Sequence, residues 1–223
     1  RYPANNRPEG EAGMASTAAT TFSAALASRP VRRFQWITVG ICLLILVSDG
    51  IDMQLLGIVA PLVIADFGVD RGTFGIAMSA ALIGFGLGGW LGGMLGDRIG
   101  RRYALAFAAI IFGLGTIAAG QAGSVTSMAL WRLVSGIGFG AAYSNALTMA
   151  SEWLPDRLRP ITVSSLSVGT PIGGAVVGWV APALSDLYSW RWTFMVFGIA
   201  TLFLIVLIIA VLRDSPSFLI ARG

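Results

Sequence analysis

The chain has 223 residues, of which 56% are hydrophobic and only 12% are charged, and its mean hydropathy is +0.78. A soluble globular domain carries about 25% charged residues, so this composition excludes a soluble protein and predicts a membrane protein with several spans. All fifteen basic residues are arginine, histidine is absent and Cys42 is the single cysteine. These absences argue against a metal or haem centre and against an intrachain disulfide, and we expect neither a cofactor nor a nucleic-acid partner.

The chain begins with a polar segment and continues with six apolar stretches. Residues 1–35 are rich in Ala, Ser, Thr, Pro and Arg, which predicts a disordered tail; Met14 offers an alternative start. A membrane span needs about 20 apolar residues. Six stretches meet that length and predict an all-α membrane domain over residues 36–212, followed by a short segment over 213–223: 36–61, 74–95, 103–122, 127–150, 161–183 and 192–212.

The arginines predict the orientation of the spans. An even number of spans places both termini on one side of the membrane. The other side then carries only Arg71 and Arg191, whereas the side of the termini carries ten arginines: Arg29, Arg32, Arg33, Arg98, Arg101, Arg102, Arg157, Arg159, Arg213 and Arg222. Basic loops stay in the cytoplasm, so we expect an integral protein of the plasma or inner membrane with both termini cytoplasmic.

The first and fourth spans carry charges inside the membrane. Asp49 and Asp52 are three residues apart, on one helix face, at about 20 and 24 Å from Trp36 along the first span. Arg132 lies about 9 Å below the opposite edge, at a similar depth. Buried charges need partners, so we predict that Arg132 pairs with Asp49 or Asp52.

Two interpretations of this charge set remain open. The ion pair could be static and only fix helix packing. Alternatively, Asp49 and Asp52 could couple transport to protons, because an aspartate that loses its arginine partner changes its affinity for a proton. Arg132 would then also bind an anionic substrate. Asn145 of the fourth span could line the same path, although an interhelical hydrogen bond is the alternative for this residue.

Glycines predict close helix packing in three spans. Gly84, Gly88, Gly92 and Gly96 lie on one face of the second span, and we expect Gly89 and Gly93 to widen that face. Similar clusters in the fourth and fifth spans indicate static packing or helices that slide during a transport cycle. In the fifth span, Gly169-Thr170-Pro171 predicts a kink.

The segment Gly93–Arg102 predicts a tight charged loop between the second and third spans, with the spacing G-x-L-x-D-R-x-G-R-R. It resembles the signature loop of the major facilitator superfamily of secondary transporters. The resemblance implies the N-terminal half of a twelve-helix fold, with six helices in a 3+3 inverted repeat. It also implies a conformational latch, for which we assign these residues: Gly93, Asp97, Arg98, Gly100, Arg101, Arg102, Glu152 and Arg159. The simpler alternative is a marker of topology whose arginines bind lipid phosphates.

A second resemblance narrows the family. Asp49-Gly50-Ile51-Asp52 followed by Ala60-Pro61 is similar to the first-helix pattern of aromatic acid:proton symporters, and Ser151–Pro155 and Arg213–Leu219 resemble segments of the same transporters. The partners implied are a small organic anion, protons, membrane lipid and a missing C-terminal six-helix half. The function implied is proton-coupled uptake of an aromatic or other organic acid anion by alternating access.

Other functions compete with this one. A sugar- or drug-type facilitator with proton coupling would share the fold, and the chain could also be a non-transporting remnant or a split subunit. An intramembrane enzyme is disfavoured because the chain has no histidine and no lysine.

Overall fold

The computed structural model describes residues 32–212. This part of the chain is all-helical, and six of its segments are long and apolar enough to cross a membrane, as predicted. The fifth of these segments is Asp156–Leu187. The elements are α1 (Arg33–Phe67), α2 (Arg71–Ile99), α3 (Arg101–Gly120), α4 (Val125–Trp153), the 3₁₀ turn (Asp156–Leu158), α5 (Arg159–Ser167), α6 (Gly169–Leu187) and α7 (Trp190–Val211).

The helices extend beyond the apolar stretches from which they were predicted. α1 already begins at Arg33, so residues 33–35 are helical and do not belong to the predicted tail. Gln35 explains this early start: its Oε1 accepts a hydrogen bond from the Arg32 amide at 2.7 Å, and its Nε2 donates to the carbonyl of Trp153 at the end of α4. The rest of the predicted tail and the segment 213–223 lie outside the described residues.

The predicted loop over Gly93–Arg102 is mostly helix, and this prediction was wrong in extent. α2 continues to Ile99 and α3 begins at Arg101, so that Gly100 alone forms the turn. Gly100 has a φ of +96°, which favours glycine, and its amide donates to the carbonyl of Gly96 at 3.1 Å. The predicted loop is helical up to Ile99 because this segment contains no proline and because glycines are tolerated within a packed helix.

Helix contacts follow the pattern of an inverted repeat. α1 packs against α6, and α2 packs against α4; α3 packs against both α4 and α7. An inverted repeat exchanges the first, second and third spans with the fourth, fifth and sixth, respectively. This exchange turns the contact between α1 and α6 into the contact between α4 and α2, and it maps the contact between α3 and α7 onto itself. This is the 3+3 arrangement that the sequence predicted.

Glycine contacts hold α2 directly against α4. Gly84, Gly88, Gly92 and Gly96 are all buried, and a Cβ atom at Gly88 would overlap the carbonyl of Ile137. Gly93 is different, because a Cβ there would meet no atom of residues 32–212 within 4 Å. The predicted glycine face is therefore present, but its predicted extension to Gly93 was wrong.

The fifth span is interrupted where a kink was predicted. α5 ends at Ser167 and α6 begins at Gly169. Pro171 accounts for the break, because a proline lacks an amide hydrogen and its ring collides with the carbonyl four residues earlier. Just beyond the break, α6 touches α1 through backbone atoms: a Cβ at Gly50 would overlap the Thr170 carbonyl.

Candidate functional site

A buried polar layer crosses the middle of the helix bundle. It separates two apolar clusters, one of which contains Leu46 and Leu105 and the other Leu55 and Phe194. The layer contains five buried polar side chains from three helices: Asp49, Asp52, Thr116, Arg132 and Ser135. Because isolated polar groups are costly in such surroundings, the partners of each side chain decide what the layer can do.

Asp52 and Arg132 form the central contact of the polar layer. Asp52 lies on α1 and Arg132 on α4, and their side chains meet with 2.5 Å between Asp52 Oδ2 and Arg132 Nη1. Arg132 Nη2 reaches the Asp52 carbonyl at 3.5 Å, and the Thr116 hydroxyl of α3 donates to Asp52 Oδ1 at 3.1 Å. The arginine is 2% exposed and Asp52 is 7% exposed. The predicted ion pair is therefore present, with Asp52 as the carboxylate.

Asp49 lies in the same layer but makes different contacts. It is 2% exposed, and its Oδ2 accepts a hydrogen bond from the Thr170 hydroxyl of α6 at 3.0 Å. Its Oδ1 is buried and receives no hydrogen bond from any residue in the described part of the chain. The two aspartates thus share a helix face, as predicted, yet contact different neighbouring helices.

Thr116 and Thr170 are polar-layer contacts to which the sequence analysis assigned no role. Thr116 lies in the apolar part of α3, and its position 64 residues from Asp52 gives no sign of the contact. Thr170 was noted only for the kink beside it. A hydroxyl group inside a membrane span is the signal that could have drawn attention to both residues, because it needs a hydrogen-bond partner.

Asn145 does not share a site with Arg132. The two residues are thirteen positions apart on α4, which is about 20 Å along the helix. The Asn145 amide nitrogen donates to the carbonyls of Gly92 and Ala141, both at 2.8 Å. Asn145 and Arg132 thus lie at different levels of the bundle, and the structure contains the interhelical hydrogen bond that was the alternative for Asn145.

Asn145 belongs instead to a charged cluster around Arg101, next to the Gly100 turn. Arg101 Nη2 lies 2.6 Å from Asp97 and 4.0 Å from Glu152, and Arg101 Nη1 donates to Asn145 Oδ1 at 3.4 Å. Arg102 donates to the carbonyl of Ile209 on α7. We call the group of Asp97, Arg101, Asn145 and Glu152 the turn cluster. It joins α2, α3 and α4 at a single point.

The remaining predicted latch residues lie around this cluster. Arg98 is in the last turn of α2, where a positive charge is favourable. Arg159 contacts Asp156 at 3.0 Å and donates to the Ser151 carbonyl at 2.9 Å. Both contacts are local to the connection between α4 and α5.

A second charged group lies at the other end of the bundle. Arg191 at the start of α7 contacts Asp66 near the end of α1 at 2.8 Å and donates to the Ala122 carbonyl at 2.6 Å. Its guanidinium also stacks on the Trp190 ring, 4.3 Å from the ring centroid. These contacts tie together the three helix ends on that side, far from the polar layer.

Comparisons with known proteins agree with the fold and the composition. Residues 42–220 match the Major Facilitator Superfamily. The chain is 36% identical over 219 residues to the 4-hydroxybenzoate transporter PcaK of Acinetobacter baylyi, covering 96% of this chain and 48% of that protein. It is 33% identical to a gallate transporter of Pseudomonas putida, covering 87% of this chain and 43% of that protein. The chain thus spans about half the length of the curated relatives it matches.

Solved structures give the same fold. The xylose transporter XylE of E. coli, in a partially occluded inward-open conformation, superposes with a TM-score of 0.78 at 22% identity, covering 85% of this chain and 52% of that one. Six membrane-capable helices and these matches identify an integral membrane protein. The chain belongs to the Major Facilitator Superfamily.

Proposed function

We propose that this chain forms the N-terminal half of a secondary active transporter that takes up an aromatic or other organic acid anion together with protons. Its relatives include proteins named as transporters of 4-hydroxybenzoate and gallate, which are aromatic acids. A second six-helix half would supply the other wall of the substrate cavity. The membrane would be the plasma or inner membrane, with both termini in the cytoplasm.

The observation that carries this proposal is the buried contact between Asp52 and Arg132. Breaking a buried ion pair leaves an uncompensated charge, at a cost of about 3–5 kcal/mol. A guanidinium is a planar fork that can bind a carboxylate through two parallel hydrogen bonds. Arg132 Nε has no hydrogen-bond partner among residues 32–212. The arginine therefore keeps a donor that an incoming carboxylate could use.

Exchange of partners at Arg132 would link the anion to the proton. A substrate carboxylate that binds Arg132 displaces Asp52, whose buried charge is then uncompensated. Taking up one proton at Asp52 neutralises that charge, so the anion and the proton enter together and the net charge of the layer is unchanged. Each ligand then increases the affinity for the other, as thermodynamic linkage requires.

The turn cluster would serve the conformational change. Asp97, Arg101 and Glu152 lie where α2, α3 and α4 meet, so a shift of any of these helices alters their contacts. In the proposed transporter this cluster and the neighbouring Arg98 and Arg102 hold the two halves together on the cytoplasmic side. The open space beside Gly93 leaves room for a helix of the second half.

Uptake by the intact transporter that carries this chain, reconstituted in proteoliposomes, tests the proposal. We expect accumulation of labelled 4-hydroxybenzoate or benzoate driven by an inward proton gradient, and its loss in Asp52→Asn. Xylose and a cationic drug, measured under the same gradient, are the competing substrates. Accumulation of either in place of the acids would replace the proposed substrate class, and absence of all transport by correctly inserted protein would favour a non-transporting remnant.

A further inference from the structure

The polar layer contains more acidic groups than basic groups. Two carboxylates, Asp49 and Asp52, face one guanidinium, that of Arg132, which contacts Asp52. Within the described residues, the membrane-embedded parts of the helices carry no other charged side chain, since those of α2, α3, α6 and α7 all lie near the helix ends. The titratable Cys42 and Tyr143 lie on α1 and α4, farther toward the Gly100 turn.

This count favours a neutral Asp49 in the conformation described. If both aspartates were ionised, the layer would hold a net negative charge in an apolar surrounding, which is costly. One proton on Asp49 makes the layer neutral. The Thr170 hydroxyl suits this state, because it can donate to a carboxylate oxygen or accept from a protonated one.

Asp49 is buried where α1 and α6 pack backbone against backbone. The neighbouring Gly50 contacts the Thr170 backbone so closely that a Cβ would overlap it, and Gly173 contacts the Val47 carbonyl in the same manner. An ionised Asp49 would gain water only if α1 and α6 separated. The helix break between Ser167 and Gly169 lies immediately beside this contact.

We propose that Thr170 positions Asp49 as a second proton-binding carboxylate, and that loss of its proton loosens the packing of α1 against α6. Asp52 then responds to the anion, whereas Asp49 ties the interrupted fifth span to the proton. Asp49 and Thr170 thereby have separate roles from the Asp52–Arg132 pair. The consequence for uptake depends on the function proposed above, but the effect on helix packing does not.

Disulfide cross-linking between α1 and α6 measures this packing without any transport. A Cβ at Gly174 would lie 3.0 Å from Gln54 Cγ, so cysteines at positions 54 and 174 face each other across the contact. In the intact transporter with Cys42→Ala, we expect the Gln54→Cys/Gly174→Cys pair to cross-link readily at low pH and several-fold more slowly at high pH. The cross-linking rate at each pH is divided by the rate at which the same cysteines react with a monofunctional thiol reagent. This ratio corrects for thiolate formation.

Four further substitutions in that background separate positioning from stability. Asp49→Asn should cross-link equally well at both pH values, because it cannot ionise. Thr170→Val should move the midpoint of the pH profile by about one pH unit, the size expected for a hydrogen bond to a charged group, and Thr170→Ser should restore it. Thr201→Val is the matched control, since Thr201 is a buried threonine whose hydroxyl donates to the Phe197 carbonyl of its own helix.

The outcomes are distinguishable from failure of the proposed transport function. A pH-independent cross-linking rate in the parent pair, or an unchanged pH dependence in Asp49→Asn, would overturn the role of Asp49. A Thr170→Val profile equal to that of the parent would overturn the role of Thr170. If cross-linking behaves as expected but no acid is accumulated, the proton site stands and the proposed substrate does not.

Discussion

At the scale of single residues, the depth of each charge in its helix determined which side chains meet. The helical rise placed Arg132 level with two aspartates, and the structure joins it to Asp52. The sequence could not distinguish Asp52 from Asp49, because residues three apart share a helix face. The distinction depends on helix crossing: α4 passes beside Asp52, whereas α6 passes beside Asp49.

Asn145 illustrates what residue type alone does not determine. An asparagine on the same helix as Arg132 suggested a common path, but thirteen positions move it to another level of the bundle. Its amide joins α4 to α2 and supports the turn cluster. Polar residues in a membrane helix therefore need an estimate of depth before they can be assigned to one site.

Replacing Arg132 by lysine tests the guanidinium fork. Lysine keeps the positive charge but cannot bind a carboxylate through two parallel hydrogen bonds. We expect Arg132→Lys to reduce uptake at least about 10-fold, which corresponds to ~1.4 kcal/mol, while the protein still inserts. Arg71→Lys, at the exposed start of α2, is the control and should stay near the parent rate. Normal uptake by Arg132→Lys would rule out bidentate binding.

Replacing Asp97 by asparagine tests the latch. The Asp97 side chain is 69% exposed and pairs with Arg101, and such exposed pairs contribute only about 0–1 kcal/mol. Asp97→Asn should therefore leave thermal stability and insertion unchanged but impair uptake. Asp156→Asn is a matched control, because Asp156 is 68% exposed and forms a local pair with Arg159 at the same end of the bundle. Equal uptake by both variants would contradict the latch and would favour the alternative, in which the turn is only a marker of topology.

At the scale of the helices, apolar length predicted the number of spans but not their ends. Hydropathy detects the part of a helix that lies in lipid, whereas α1 and α2 continue into polar sequence where caps and tertiary contacts stop them. The break beside Pro171 was predictable because it follows from proline geometry. The single-residue turn at Gly100 was not predictable, because the glycine-rich segment before it has the composition of a loop.

The contact between α2 and α4 predicts opposite effects for two glycines of the same helix. Gly88 lies against the backbone of Ile137, whereas a Cβ at Gly86 would meet nothing within 4 Å in the described part of the chain. Gly88→Ala should lower the thermal unfolding temperature in detergent by several degrees. Gly86→Ala should leave it unchanged or raise it slightly, because alanine is favoured over glycine in a helix by about 0.5–1 kcal/mol. Equal stabilities would contradict the close approach of the two helices.

The start of α2 depends on a carboxylate and hence on pH. Hydrogen bonds from the Thr73 hydroxyl and from the amides of Thr73 and Gly72 lower the pKa of Asp70. A lowered pKa in the folded protein means that this stabilisation is present above the unfolded value of about 3.9 and is lost as the pH falls through the folded value.

We therefore expect Asp70→Ala to unfold at a lower temperature than the parent at pH 7. The difference should shrink as the pH approaches 3. Asp70→Asn, which keeps a capping oxygen without the charge, should lie between the two at pH 7. A difference that is the same at both pH values would show that the charge of Asp70 contributes nothing.

At the scale of the whole molecule, the inverted repeat explains why two groups of contacts recur at opposite ends. The third and sixth spans each carry an arginine within their first two residues, and these residues, Arg101 and Arg191, each bind a carboxylate and groups of neighbouring helices. The number and order of the helices followed from the sequence. Their pairing followed only from the resemblance to a known fold, because apolar faces in a membrane do not specify their neighbours.

The imbalance of arginines predicts a measurable orientation. In a Cys42→Ala background, Gly123→Cys lies between α3 and α4, and Asp156→Cys lies between α4 and α5. A membrane-impermeant maleimide added to intact cells should label Gly123→Cys and should reach Asp156→Cys only after the membrane is permeabilised. The reverse labelling pattern would place the termini outside the cytoplasm.

The turn at Gly100 leaves α2 and α3 almost no slack. Two Cα–Cα steps join Ile99 to Arg101 and span at most about 7 Å when fully extended, so the facing ends of these helices have very little room to move apart. Any movement of α2 along its glycine contact with α4 must pull α3, and α3 packs along α7. A displacement that begins at the smooth face between two helices is thus passed mechanically to a third and a fourth.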